Sequence, residues 1–217
     1  MASLMLILAL AVAALAVAVS ESAQVARAVL LYAAQGALIA LLLVLGAQVS
    51  GIHGLIGSAV TVLVAQAVIL PLLVMRYARQ GAPAEQQPPR MGYLWAGALT
   101  LAGFVAGEFL FPVLLEGIPG ATAHVPHGLA GGVALVVASL WTILGHRDML
   151  KVVLGVCVLE NGVHLLMAAI APTVPELAAV GATLAVIVAV WLLLLVGRRA
   201  EEATGARDDG LLDRLRG

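Results

Sequence analysis

Long apolar runs, broken at similar intervals by short polar or Gly/Pro-rich stretches, dominate this chain. A helix needs ~20 predominantly apolar residues to cross a bilayer. Spanning β-strands would alternate polar and apolar positions instead. The pattern therefore predicts helices at Leu4–Val19, Ala28–Gln48, Leu55–Met75, Tyr93–Leu115, Pro126–Leu144, Met149–Ala171 and Leu177–Gly197. The expected fold is all-α: a polytopic membrane protein of about seven spans.

The basic residues add an orientation. Arg27 follows the first run, and Arg76, Arg79 and Arg90 follow the third. Arg147 and Lys151 lie between the fifth and sixth, and Arg198, Arg199, Arg207, Arg214 and Arg216 follow the seventh. The connections around Ser50–Gly54, Glu116–Val125 and Pro172–Glu176 have none. Positive charge thus falls on alternate connections, which the positive-inside rule makes cytoplasmic. The N-terminus is expected outside and the C-terminus in the cytoplasm. The same rhythm supports seven spans, since a wrong count would scatter the charges over both sides. The segment Gln80–Arg90 reads as an extended Pro- and Gln-rich linker. It divides a three-helix block (1–79) from a four-helix block (93–197), with a cytoplasmic linker over 80–92 and a charged tail over 198–217. The first run lacks a preceding Lys or Arg and is long for the core of a signal peptide, so it reads as a true span.

Composition narrows the function classes. The chain has 217 residues, 63% hydrophobic and 11% charged, which leaves almost no room for a soluble domain. No basic field suits nucleic acid. The single Cys157 can neither pair internally nor hold a metal alone. No phosphate loop, cysteine cluster, nucleophile elbow or inward histidine pair for haem is present. A retinal protein would need a lysine in the last span, and Leu177–Gly197 has none.

What chemistry the chain could carry lies inside the membrane. Val156–Met167 (VCVLENGVHLLM) sets Glu160, Asn161 and His164 in mid-span. A charged side chain at that depth costs about 3 kcal/mol on insertion scales and is functional by default. Glu160 lies nine residues past Lys151, about 14 Å along the helix. Glu160 and His164 share a helix face, a carboxyl and imidazole able to hold or pass a proton. The alternative is a neutral Glu acting as interhelical glue. Glu108 in GFVAGEFLFPVLL is a second candidate. Gly107 beside it allows close approach, and Pro112 is expected to kink the helix and free the Glu108 carbonyl; the alternative is an outer-interface carboxyl that reaches water. Gln66, with Pro71 after it, is expected to hydrogen-bond between helices. Lys151 joins the relay candidates near the inner surface. His146, Arg147 and Asp148 read as a polar turn of headgroup anchors. His53, His124 and His127 fall outside or at the edge of the spans, too few for a metal site. Glu176 could cap the seventh helix. Gly51, Gly54 and Gly57, and Gly128, Gly131 and Gly132, read as helix-contact faces.

The run His146–Leu177 resembles the E component of hydrogenase-4, a membrane subunit of formate hydrogenlyase-type complexes. The resemblance rests on Arg147, Lys151, Gly155, Cys157, Glu160, Asn161, Gly162, His164, Pro175, Glu176, Leu177 and Gly181. The second half is similar to the K-type subunit of complex I and the C subunit of Mrp antiporters. The resemblance implies a non-catalytic, multi-pass subunit of the plasma (cell inner) membrane. It would sit beside antiporter-like subunits and a cytoplasmic hydrogenase-like arm. The nickel-iron centre and iron-sulfur clusters would lie in those partners and no cofactor in this chain. A subunit of an Mrp-type cation/proton antiporter, or a pure scaffold, is the rival implication. The chain departs from the family pattern at two ionisable positions: Gln66 stands where a lysine is expected, and apolar residues near Ala185 stand where an acidic one is expected.

Overall fold

A computed structural model describes residues 1–80, 92–116, 125, 127–146, 148–171 and 176–204. The linker after Gln80, His124, Arg147, Pro175 and the tail beyond Thr204 lie outside the described residues. The described residues are all-helical, and seven helices are long and apolar enough to cross a membrane. The chain is thus a multi-pass membrane protein.

The first span, Ala2–Glu21, is a full crossing rather than the short run the sequence suggested. The second, Val25–Ser50, stops at Gly51, which takes the left-handed conformation at φ 72° and returns its N–H to the Ala47 carbonyl. Gly51 is therefore a helix terminator, with nothing near its Cβ position, and makes no helix contact.

The third and fourth spans share a local device. Each runs as an α-helix (Gly54–Val64; Gly92–Val105), widens into one π-helical turn (Ala65–Ile69; Ala106–Leu110) and resumes as α-helix (Leu70–Gln80; Phe111–Glu116). In each, a proline follows two residues after the turn, Pro71 and Pro112. A proline lacks the N–H for the carbonyl four residues back, and its ring clashes there. The widened turn removes that clash: Leu70 N–H bonds Ala65 O and Phe111 N–H bonds Ala106 O, five residues apart. The Pro112 effect is thus a π turn containing Glu108, where the sequence suggested a kink.

The fifth span, Gly128–Gly145, and the sixth, Met149–Ile170, form the tightest pair. Glycines let their backbones close. A Cβ at Gly162 would stand 3.0 Å from Val136 N, and one at Gly132 would stand 2.6 Å from Leu166 Cγ. Packing is what joins helices in lipid, where no hydrophobic drive separates them from the solvent. Gly128 and Gly131 also lie on contact faces, as their spacing suggested.

The seventh helix runs Glu176–Thr204, so Glu176 is its first residue rather than its cap. The sixth span is the most buried of the seven and packs on the first, second, third, fifth and seventh. The fourth and seventh are the most peripheral, with Leu94, Phe109, Leu184 and Trp191 facing outward. One continuous core takes side chains from the first, second, third, fifth, sixth and seventh spans. The first span also packs on the fourth and fifth, bringing helices from either side of the 80–92 linker together.

Candidate functional site

The sixth span carries its polar groups on one stripe. Asp148 caps its start, with Oδ1 accepting the Leu150 N–H at 2.9 Å. Cys157, Glu160, Asn161 and His164 then recur at helical spacing on one face, and all four are buried. That face turns inward because Gly155 and Gly162 on the adjoining face press against the fifth span.

Three neighbours complete the layer. The second span brings Tyr32 and Gln35, the third brings Gln66 from its π turn, and the seventh brings Thr183; all are buried. Asn161 donates Nδ2–H to Gln35 Oε1 at 2.9 Å. Gln35 donates Nε2–H to the Val12 carbonyl at 3.0 Å. One polar thread therefore links the sixth, second and first spans.

Glu160 is only 7% exposed. Its carboxyl faces the Gln66 amide and the Thr183 hydroxyl, close enough for both to act on it, and neither oxygen completes a strict hydrogen bond with the described residues. Both Glu160 oxygens, both Gln66 amide atoms, Asn161 Oδ1, His164 Nε2 and Thr183 Oγ1 lack a partner among the described residues. Buried polar groups are ordinarily paired; most of the unpartnered ones among the described residues gather in this layer, with Glu21 Oε2, His146 Nε2 and Trp141 Nε1 lying outside it. Gln66 was expected to bond between helices. It reaches the interface and faces Glu160, and its backbone lies 3.2 Å from the Gly36 Cβ position on the second span. Ala185 is exposed on the seventh span, and the polar side chain turned to Glu160 is Thr183, two residues earlier.

Near the basic end the same helix makes a second polar station. Lys151 is 2% exposed. Its Nζ donates to Val19 O at 2.9 Å, Ser20 O at 2.7 Å and Ser22 O at 2.6 Å. These are carbonyls that the end of the first span leaves unmet. Glu21 and Asp148 are acidic neighbours of the ammonium. The Tyr93 hydroxyl donates to Glu21 O at 3.0 Å. His146, in the turn before the sixth span, packs here with Nδ1 3.1 Å from Thr142 O. Burial pushes its imidazole below the usual histidine range. It is buried rather than an exposed headgroup anchor.

Glu108 stands apart from both stations. Its Oε1 lies 2.8 Å from His127 Nδ1, with the carboxyl side chain 28% exposed. His127 adopts φ 58° just before the fifth span. Gly107 presses on that span, its Cβ position 2.6 Å from Ala130 Cα. Among the described residues no three His, Cys, Asp or Glu side chains converge as metal ligands do.

Sequence reading passed over Gln35, Tyr32 and Thr183. Gln35 was visible as a lone amide in an apolar run and beside Gly36, the same combination that marked Glu108.

Three curated proteins align with 156 residues at 30% identity, covering 69% of this chain and 68% of theirs. They are the hydrogenase-4 component E proteins of Escherichia coli strain K12, Escherichia coli O157:H7 and Shigella flexneri. No family model and no solved structure matches.

Proposed function

The chain belongs to the hydrogenase-4 component E family, and on that premise we propose that it is an accessory membrane-arm subunit of a hydrogenase complex whose polar mid-membrane layer handles protons. The redox centres belong to partner subunits in this reading, with antiporter-like subunits beside it in the cell inner membrane. The basic end, bearing Arg27, Arg76, Arg79, Arg198 and Arg199, faces the cytoplasm.

The observation that carries the reading is Glu160. Its carboxyl is buried at mid-span facing Gln66 and Thr183, and neither oxygen completes a strict hydrogen bond with the described residues. A carboxyl used only to join helices would close such bonds, since each unmet group in lipid is costly. One left open is free to take or give up a proton as its neighbours shift. His164 lies one helical turn away on the same face. The Asn161–Gln35–Val12 thread fixes the helix that carries both.

Glu160→Gln keeps the shape and removes the exchangeable proton. In membrane vesicles bearing the assembled complex it should abolish redox-coupled proton movement, while hydrogenase turnover in detergent stays at the wild-type level. Equal coupling in variant and wild-type vesicles would leave Glu160 as interhelical glue.

A further inference from the structure

At the basic end, the third and seventh spans leave a groove of about 410 Å³ between them. Its two walls are helical stripes. The third span contributes Leu73, Arg76 and Tyr77, and the seventh contributes Trp191, Leu194, Leu195 and Arg198. These spacings place each set on one helix face. The spans meet below Arg198, where a Gly197 Cβ would stand 3.3 Å from the Tyr77 hydroxyl.

The stripes are ordered by depth. Arg76 and Arg198 mark the same end of the groove, on neighbouring helices. From Arg198 to Trp191 is seven residues, about 10 Å along the helix axis. Over that length the seventh-span wall is apolar and aromatic. Leu194 is nearly buried, whereas Trp191 and Leu195 are half exposed to the surroundings. The groove thus has a doubly cationic head at the interface and an apolar trough running into the hydrocarbon. Tyr77, next to Arg76, is a side chain that favours the interfacial zone.

We propose that this groove is a binding site for an anionic phospholipid. The phosphate would lie between Arg76 and Arg198, and one acyl chain along Trp191 and Leu195. Two guanidinium groups complement a phosphodiester, and basic clefts between spans are sites of this chemistry. A soluble phosphate or an acidic peptide would leave the hydrophobic trough unused. The site is separate from the Glu160 layer and does not depend on its role.

The test uses the full chain with Trp191 as the reporter, made by Trp95→Phe and Trp141→Phe. It is reconstituted in phosphatidylcholine nanodiscs containing a minor share of lipid with brominated acyl chains. Brominated phosphatidylglycerol should quench Trp191 well beyond its share of the bilayer, and brominated phosphatidylcholine in proportion to its share. Arg76→Gln and Arg198→Gln should each weaken the excess about fivefold. Added inorganic phosphate should not compete. Equal quenching by the two lipids, or an excess that survives both substitutions, would overturn the site. A photoreactive residue at Leu195, in the otherwise unaltered chain in cells, provides an independent measurement. A phospholipid adduct supports the proposal, and an adduct to another polypeptide assigns the groove to a partner helix instead.

Discussion

Lys151 and Glu160 sit nine residues apart on one helix, both almost fully buried, yet their surroundings are opposite. The ammonium reaches three carbonyls at the end of the first span and the residue that follows it. The carboxyl completes no strict hydrogen bond among the described residues. An ionisable group whose hydrogen bonds are all made is held in one state by its partners. A group with none made has neighbours that can move toward or away from it. Depth alone therefore does not mark a proton site. The state of the surrounding hydrogen bonds does, and by that measure Glu160 is the better candidate and Lys151 the better clamp.

The sharpest way to break this contrast is Lys151→Met. Loss of three charge-assisted bonds should lower stability by about 3 kcal/mol, read as a lower thermal midpoint in mild detergent. A loss of the same size from Glu160→Gln would erase the distinction between the two stations. Gln35→Leu comes next. It cuts the thread between Asn161 and Val12, at about 1 kcal/mol for a buried interhelical bond in a membrane protein. Gln66→Leu should be smaller still, near neutral or stabilising, because neither amide atom completes a hydrogen bond among the described residues and an apolar residue of similar size removes that penalty. It should nevertheless alter proton coupling in vesicles; unchanged coupling would remove Gln66 from the layer.

The smallest effect is a pH slope. His146 is held neutral by burial, so its folded-state pKa is below the ordinary 6.5. As pH falls below 6.5 the unfolded chain takes a proton before the folded one does. The stability that rests on neutral His146 is therefore complete above that value and declines as pH falls toward the folded-state pKa. His146→Gln should flatten the thermal midpoint against pH in that acidic window and leave it unchanged above it.

Some of this was legible in the sequence and some was not, for physical reasons. Helix number follows from hydropathy, because a bilayer demands a minimum apolar length. The shared face of Glu160, Asn161 and His164 follows from helical spacing alone. Pairing is different: Asn161 meets Gln35 across 126 residues of sequence, and no local pattern specifies that. Lys151 shows how a sound local rule can be overridden. A lysine near a helix end ordinarily extends to the interface; here the unmet carbonyls of the first span draw it inward. Pro112 signalled a disturbance in the fourth span, but only the structure shows that this span and the third both take π turns, one carrying Gln66 and the other setting Glu108 beside His127.

The Lys151 contacts also bear on the order of synthesis. The carbonyls of Val19, Ser20 and Ser22 receive their donor from a residue about 130 positions downstream. The ribosome has delivered five transmembrane helices before that donor exists. Until it arrives, the end of the first helix lacks the donor that joins it to the sixth in the folded chain.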